Sequence, residues 1–224
     1  MDHELLRWSE ALAGIARTGL GFTQSLYEAE RFQEVLHVAA DMRAAVEEGI
    51  DASEFAGEWM KSIGEGVPGY VTPKLAVGAV VGNDKGEILL VQRADSGIWL
   101  YPTGWADVGY SPSEVVVKEV KEETGIEAVP KRVIAVIDGV RQQFTRVPLY
   151  SMVFHCEAVG GELAAHPLEC RDVGWFSRDN LPQPLVGFDR WGESAFAAID
   201  GESVDVYFDA PRSPVWRGDA ELAE

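Results

Sequence analysis

Residues Gly104 to Ile126 read GWADVGYSPSEVVVKEVKEETGI. Gly104, Gly109, Ser111 and Pro112 make the first part a loop, the run from Ser113 to Thr124 is helical in its periodicity, and Gly125 is a stop signal just beyond Lys121. At ~100° per residue, Glu119, Glu122 and Glu123 fall at about 0°, 300° and 40° on the helical wheel, so three carboxylates share one face. Val117, Val120 and Thr124 fall at about 160°, 100° and 140°, an apolar arc beside the acidic one. Like charges at this spacing repel, and the repulsion grows as they lose water. A divalent cation relieves it. Oxygen donors without His or Cys suit hard Mg²⁺, which keeps room for water and phosphate oxygens. Taken alone, EVKEE describes a solvated face on which Lys118 and Lys121 offset the acids. The loop, helix and stop in one unit favour the metal reading.

This segment resembles the Nudix box, G-x5-E-x7-R-E-U-x-E-E-x-G-U with U aliphatic, and matches it at Gly104, Glu119, Val120, Glu122, Glu123, Gly125 and Ile126. The resemblance implies an α/β/α sandwich with a mixed sheet, preceded here by a small all-α amino-terminal domain. It also implies a divalent metal, Mg²⁺ with Mn²⁺ as a substitute, and attack of water on a pyrophosphate joined to a variable group. Carried over by position, Glu119, Glu122 and Glu123 are the metal ligands and catalytic residues. Two box positions depart. Tyr110 replaces the first Glu, and Lys118 replaces the Arg, whose planar fork an ammonium cannot reproduce. Thr103 stands where the family usually has Gly, at a loop carbonyl that often ligates metal.

A second resemblance lies at the amino terminus. Trp8, Leu12, Ile15 and Ala16, then Thr18 to Leu20, then YEAERFQEVLHVAADM from Tyr27 to Met42, are similar to the helical extension of one Nudix subgroup. The same subgroup carries WADVG, here Trp105 to Gly109. Its members are associated with CDP-choline and ADP-ribose, which implies a small nucleotide substrate of the nucleoside diphosphate-X type.

Outward from the box the chain divides. Helical spacing is expected from Leu5 to Leu20 and, after a capping box at Ser25 and Glu28, along the stripe Phe32, Val35, Leu36, Ala39, Met42 and Val46. Ser53 is a candidate cap for a short third helix through Phe55, Trp59 and Ile63. Gly64 to Pro73, GEGVPGYVTP, has no periodicity and reads as a linker. The expected division is a helical domain over residues 1–66 and the box-bearing domain over 67–224. Beyond the linker, β-branched runs predict strands at Leu75–Val81, Ile88–Val91, Val133–Ile137, Leu149–Cys156 and Val173–Phe176. A last helix is expected at Trp191–Ile199, with an edge strand in VDVYF. The apolar stripe of the second helix is too long to face water on so small a unit, which predicts a homodimer through this extension.

The formal charge of −18 over 224 residues repels phosphate backbones, which argues against duplex nucleic acid and anionic membranes as partners. The longest apolar and glycine stretch, Leu75–Gly82, is far short of the ~20 residues of a membrane span. The acidic start MDHELLRWSE is unlike a secretory signal, so a cytoplasmic protein is expected. Cys156 and Cys170 lack CxxC spacing and read as buried thiols.

Further candidates lie outside the box. Glu169 and Asp172 are the acids placed to join the site from a later loop, with a surface role as the plainer alternative. Arg93 and Arg141 suit a substrate phosphate, or solvent. Phe144 and Tyr150 suit a base or the core, and Trp105 shapes the pocket or packs. His155 lies in a strand and is not expected to be a catalyst. Two functions compete: a Mg²⁺-dependent pyrophosphohydrolase giving two monophosphates, and a non-catalytic nucleotide-binding or regulatory protein on the same scaffold. The intact Glu119, Glu122 and Glu123 set favours the enzyme.

Overall fold

The computed structural model describes residues 2–61, 63, 71–107, 109–141, 145 and 147–210. Two compact units are present, Met1–Thr72 and Pro73–Ala210. Most of the linker expected at 64–73 lies outside the described residues.

Among the described residues the first unit has three helices, α1 (Asp2–Phe22), α2 (Leu26–Ala44) and α3 (Ala52–Lys61). The oxygen of Ser25 accepts the Glu28 amide at the start of α2. The reciprocal half of the expected capping box is missing, because the Glu28 carboxylate instead takes the Thr23 hydroxyl at 2.5 Å. For α3 the cap is Asp51, which accepts the Glu54 amide at 2.9 Å, and Ser53 lies inside the helix. An aspartate one residue before the first turn is the better placed acceptor. The core is thin. It consists of Ala13, Ala16, Leu36, Ala39, Ala40, Ala56 and Trp59, and Trp8, Ile15, Phe22, Leu26, Tyr27 and Val38 remain exposed.

The second unit is an eight-stranded mixed sheet between helices. Its strands are β1 (Lys74–Gly82), β2 (Ile88–Arg93), β3 (Trp99–Leu100), β4 (Thr103–Trp105), β5 (Ile126–Asp138), β6 (Leu149–Gly161), β7 (Cys170–Phe176) and β8 (Tyr207–Phe208). Along the sheet the order is β3-β2-β1-β6-β5-β8, with β4 on β1 and β7 on β2. The pairs β1–β6 and β5–β8 are parallel and the others antiparallel. All five expected strands form, and VDVYF contributes the edge strand β8. The strand β5 begins at Ile126, well before the expected Val133. Pro130 hides its first half from a reading of sequence alone, since the ladder accommodates the proline only through register shifts between Pro130 and Arg132.

Each sheet face carries one helix. Helix α4 (Pro112–Thr124) buries Val115, Val116 and Val120 against Val77, Ala79 and Val81. Helix α5 (Phe188–Ile199) buries Trp191, Ala195 and Phe196 against Val80, Ile134 and Val153 on the other face. The alternation of Val77, Ala79 and Val81 with Val80 along β1 is the strand period that separates the two cores. Cys156 and Cys170 are free and buried, as expected, and burial pushes their thiols up to about 12 and about 11. Among the described residues, no helix is long and apolar enough to cross a membrane.

Candidate active site

The site is assembled by the seating of α4. At its start, Ser111 accepts the Glu114 amide at 3.4 Å and returns its own amide to the Glu114 carboxylate at 2.7 Å, with Pro112 in the first turn. Its end is set by Gly125 at φ 74°, a left-handed conformation that costs glycine little. With the valines anchored, the three glutamates receive different environments. Glu123 is 4% exposed. Glu119 is half-buried, and Glu122 faces solvent.

One short strand, β4, paired to β1, holds the opposite wall. The Thr103 hydroxyl donates to the Val77 carbonyl at 2.7 Å, and the Thr103 amide donates to Glu123 Oε2 at 2.9 Å. The contact that Thr103 makes with the acidic cluster is therefore through its N–H. Next to it, a Cβ on Gly104 would overlap the Glu119 carboxylate, so the glycine leaves room for that side chain. This is why a small residue precedes Trp105, and the physical cause is tertiary.

Burial raises the proton affinity of Glu123 to about 8, against the Thr103 hydrogen bond, with the charges of Glu119 and Glu169 adding to the rise. The Glu119 carboxyl is also raised, first by burial and then by Glu122, Glu169 and Asp107, while Lys118 opposes. Glu169, just before β7, thus acts electrostatically on both inner glutamates. It is brought close because its carbonyl accepts the Ala94 amide at 2.8 Å. Asp172, the other acid considered, accepts the Val173 amide at 2.9 Å from within β7.

Lys118, in the position of the box arginine, pairs with Asp107 at 2.9 Å, Glu122 at 3.4 Å and Glu119 at 3.9 Å. Sequence does not mark Asp107, within WADVG, as functional, because nothing local joins it to a lysine eleven residues on. Tyr110 is exposed in the loop.

The remaining candidates are placed less centrally. Arg93 is committed to Asp95 at 2.7 Å, although its charge still reaches Glu123. The Arg141 amide donates to Asp138 Oδ1 at 3.1 Å in the turn after β5. Trp105 is exposed, with the Lys74 ammonium 5.5 Å from its ring centre. Tyr150 is exposed on β6, and Phe144 lies outside the described residues.

The donor set is all oxygen, its carboxylates raise one another's proton affinity, and Gly104 leaves a cradle beside Glu119. Among the described residues, no group of three or more His, Cys, Asp and Glu side chains already stands at metal-cage spacing. The set fits a divalent cation.

The sequence model described as the NUDIX domain matches residues 72–194, more than half of the chain. The chain belongs to the Nudix family. It is a Nudix hydrolase, a pyrophosphohydrolase acting on phosphorus-containing anhydrides. Residues 3–52 of this Nudix protein match a second model, the UDP-X-like, N-terminal oligomerisation domain. A putative ADP-ribose pyrophosphatase of Bacillus subtilis (strain 168), YjhB, is 32% identical over 179 residues, covering 79% of this chain and 82% of that protein. The crystal structure of a UDP-X diphosphatase aligns with a TM-score of 0.53 and 28% identity, covering 91% of this chain and 97% of that one. An ADP-ribose pyrophosphatase from Streptococcus suis 89-1591 aligns at 0.51 with 35% identity, covering 62% of this chain and all of that one.

Proposed function

We propose that this Nudix hydrolase is a Mg²⁺-dependent enzyme that splits ADP-ribose, or a similar nucleoside diphosphate-X such as CDP-choline, into two monophosphates. The observation that carries the reading is the seating of Glu119 beside Gly104 and of Glu123 on the Thr103 amide, where burial, their mutual charge and that of Glu169 hold two carboxyls above their ordinary range. The named pyrophosphatase relatives support ADP-ribose as the first substrate to test. CDP-choline rests on the resemblance of the amino-terminal extension and of WADVG.

In this reading Glu119, Glu122 and Glu123 hold the cation, Mn²⁺ can substitute, and Glu169 completes the acidic wall. When bound, the cation neutralises the two phosphates and lowers the pKa of water. Glu119, raised in proton affinity yet reached by solvent, orders the attacking water and accepts its proton. Water oxygen bonds to one phosphorus, the bridging oxygen leaves with the other, and the two products are monophosphates. Glu123 stays fixed by the Thr103 amide and keeps the acidic face in register. Lys118, tied to Asp107, holds the WADVG loop against the helix and offsets the charge of Glu119 and Glu122. Trp105, exposed next to Gly104, serves in this reading as a platform for a base. Arg93, whose charge acts on Glu123, would reach the substrate phosphate only by leaving Asp95.

Residues 1–66 are read as a domain that pairs two copies of the chain, since the helices leave Trp8, Ile15 and Leu26 exposed over a thin alanine-rich core and match an oligomerisation model. Sedimentation should give twice the 24.5 kDa chain mass. The substrate experiment is a screen of ADP-ribose, CDP-choline and a nucleoside triphosphate with Mg²⁺, Mn²⁺ or EDTA. AMP and ribose 5-phosphate from ADP-ribose, only with metal, are the expected products. Free nucleobase, free choline or inorganic phosphate as the first product would refute the assignment.

A further inference from the structure

The second unit has another cleft, of about 520 Å³, on the sheet face that carries α5 and at the Gly82 end of β1. The carboxylate site lies on the α4 face, near the other end of that strand, where Ala76–Gly78 pair with β4. The cleft is lined by Asn83, Asp84, Lys131, Arg132, His155 and Glu157, and closed by the end of α5. This volume lies within the roughly 300–1,000 Å³ typical of small-molecule sites.

His155 is the unexpected member. Its neighbours Phe154 and Cys156 point into the α4-side core, and Val153 into the α5-side core. Strand alternation therefore puts the imidazole at an inward position of the α5 face, where Val80 and Ile134 are aliphatic. The residue is 7% exposed, and its Nδ1 is sealed without a hydrogen-bond partner. Native proteins rarely leave such an atom unpaired. A ligand can meet the ring only through Nε2, and an acceptor there fixes the proton on Nε2, leaving nothing but a lone pair buried at Nδ1.

The charge beside it selects the ligand. Lys131 is neutralised by Glu157 at 2.8 Å. Arg132, the cross-strand partner of His155, donates to the neutral Glu202 carbonyl at 2.5 Å and makes no ion pair among the described residues. Its guanidinium therefore keeps donors that no carboxylate holds among the described residues, in a cleft that Asp84 also lines. Asp84 and Glu157 line the same cleft and disfavour a ligand that is negative at both ends.

We propose that this cleft is a second, non-catalytic site for a small phosphate monoester, bound by the Arg132 guanidinium and the His155 imidazole. The planar guanidinium fork and a neutral N–H donor are a phosphate-binding pair, and the cleft has room for the group the phosphate carries.

The test is calorimetric titration of the full chain with AMP and with inorganic phosphate in EDTA, where the carboxylate site has no metal through which to hold a phosphate. Saturable binding to one site per chain is expected, weakened at least about tenfold in Arg132→Met, with a matching shift of the His155 ring nitrogens in ¹⁵N NMR. Arg132→Met should retain full turnover with Mg²⁺, and Glu122→Gln should bind AMP as wild type does. His155→Phe is the second variant, and Arg132 keeps the test decisive if that one folds poorly. Binding left intact in Arg132→Met, or lost in Glu122→Gln, would overturn the proposal. So would silence toward both phosphates at millimolar ligand, or a response to citrate alone.

Discussion

Replacing Glu123 by glutamine should stabilise the metal-free protein while removing its activity. The structure gives the size of the effect. Glu123 is 4% exposed, and its carboxyl titrates at about 8 against an ordinary 4.5. Below pH 4.5 folded and unfolded chains both hold the proton, and the contribution to stability is fully present. Between 4.5 and 8 the folded chain keeps a proton that the unfolded chain has released, so stability falls as pH rises through this window. From 4.5 to 7, at ~1.4 kcal/mol per pH unit, the loss is about 3 kcal/mol. Glutamine is neutral at every pH, and its amide oxygen can still accept the Thr103 N–H. In EDTA at pH 7 the unfolding midpoint of the Nudix unit should therefore rise by roughly 6–12 °C, and the gain should vanish near pH 4.5. Differential scanning calorimetry of both proteins across this range, paired with turnover in saturating Mg²⁺, measures the two effects together. A variant that is less stable than wild type in EDTA at pH 7, or one that hydrolyses ADP-ribose at the wild-type rate, would refute the reasoning.

Gly104→Ala should cost little stability, because the side chain in its way is the mobile end of Glu119, yet the displaced carboxylate should lower turnover by about 100-fold; an unchanged rate would remove Glu119 from the site. Glu169→Gln should reduce turnover at least about tenfold, in the range of a group that works through charge, and Asp172→Asn should leave it near wild type; the reverse result would exchange their roles. Neither Cys156 nor Cys170 should react with a thiol reagent at pH 8 in the folded protein, since burial holds both thiols above that pH, and rapid labelling of either would contradict it. His155 has a lowered proton affinity, chiefly from burial and then from Arg132, so stability should drop as pH falls through its ordinary 6.5, and His155→Phe should flatten that part of the curve; an unaltered slope would show that the ring is not held neutral.

Sequence alone determined what depends on period and local chemistry. The glycine-bounded helix with three acids on one face, the valine arc beside it, the five β-branched strands and the helical amino terminus are all written in short-range spacing, which backbone geometry converts directly into faces. Pro130 concealed the first half of β5 for the same reason, because its pairing depends on a partner strand that supplies a bulge. Tertiary structure alone decided how the three glutamates differ. On a helical wheel they differ only in distance from the valine arc, with Glu123 nearest and Glu122 farthest, and it is the packing of α4 on β1 and β4 that buries Glu123 against the Thr103 amide, fits Glu119 into the space beside Gly104 and leaves Glu122 in water. It likewise chose Glu169 to stand near them, joined Lys118 to Asp107 and set an unpaired imidazole beside Arg132. Proton affinity and partnership depend on desolvation and on charges that are distant along the chain, and those quantities exist only once the chain has folded.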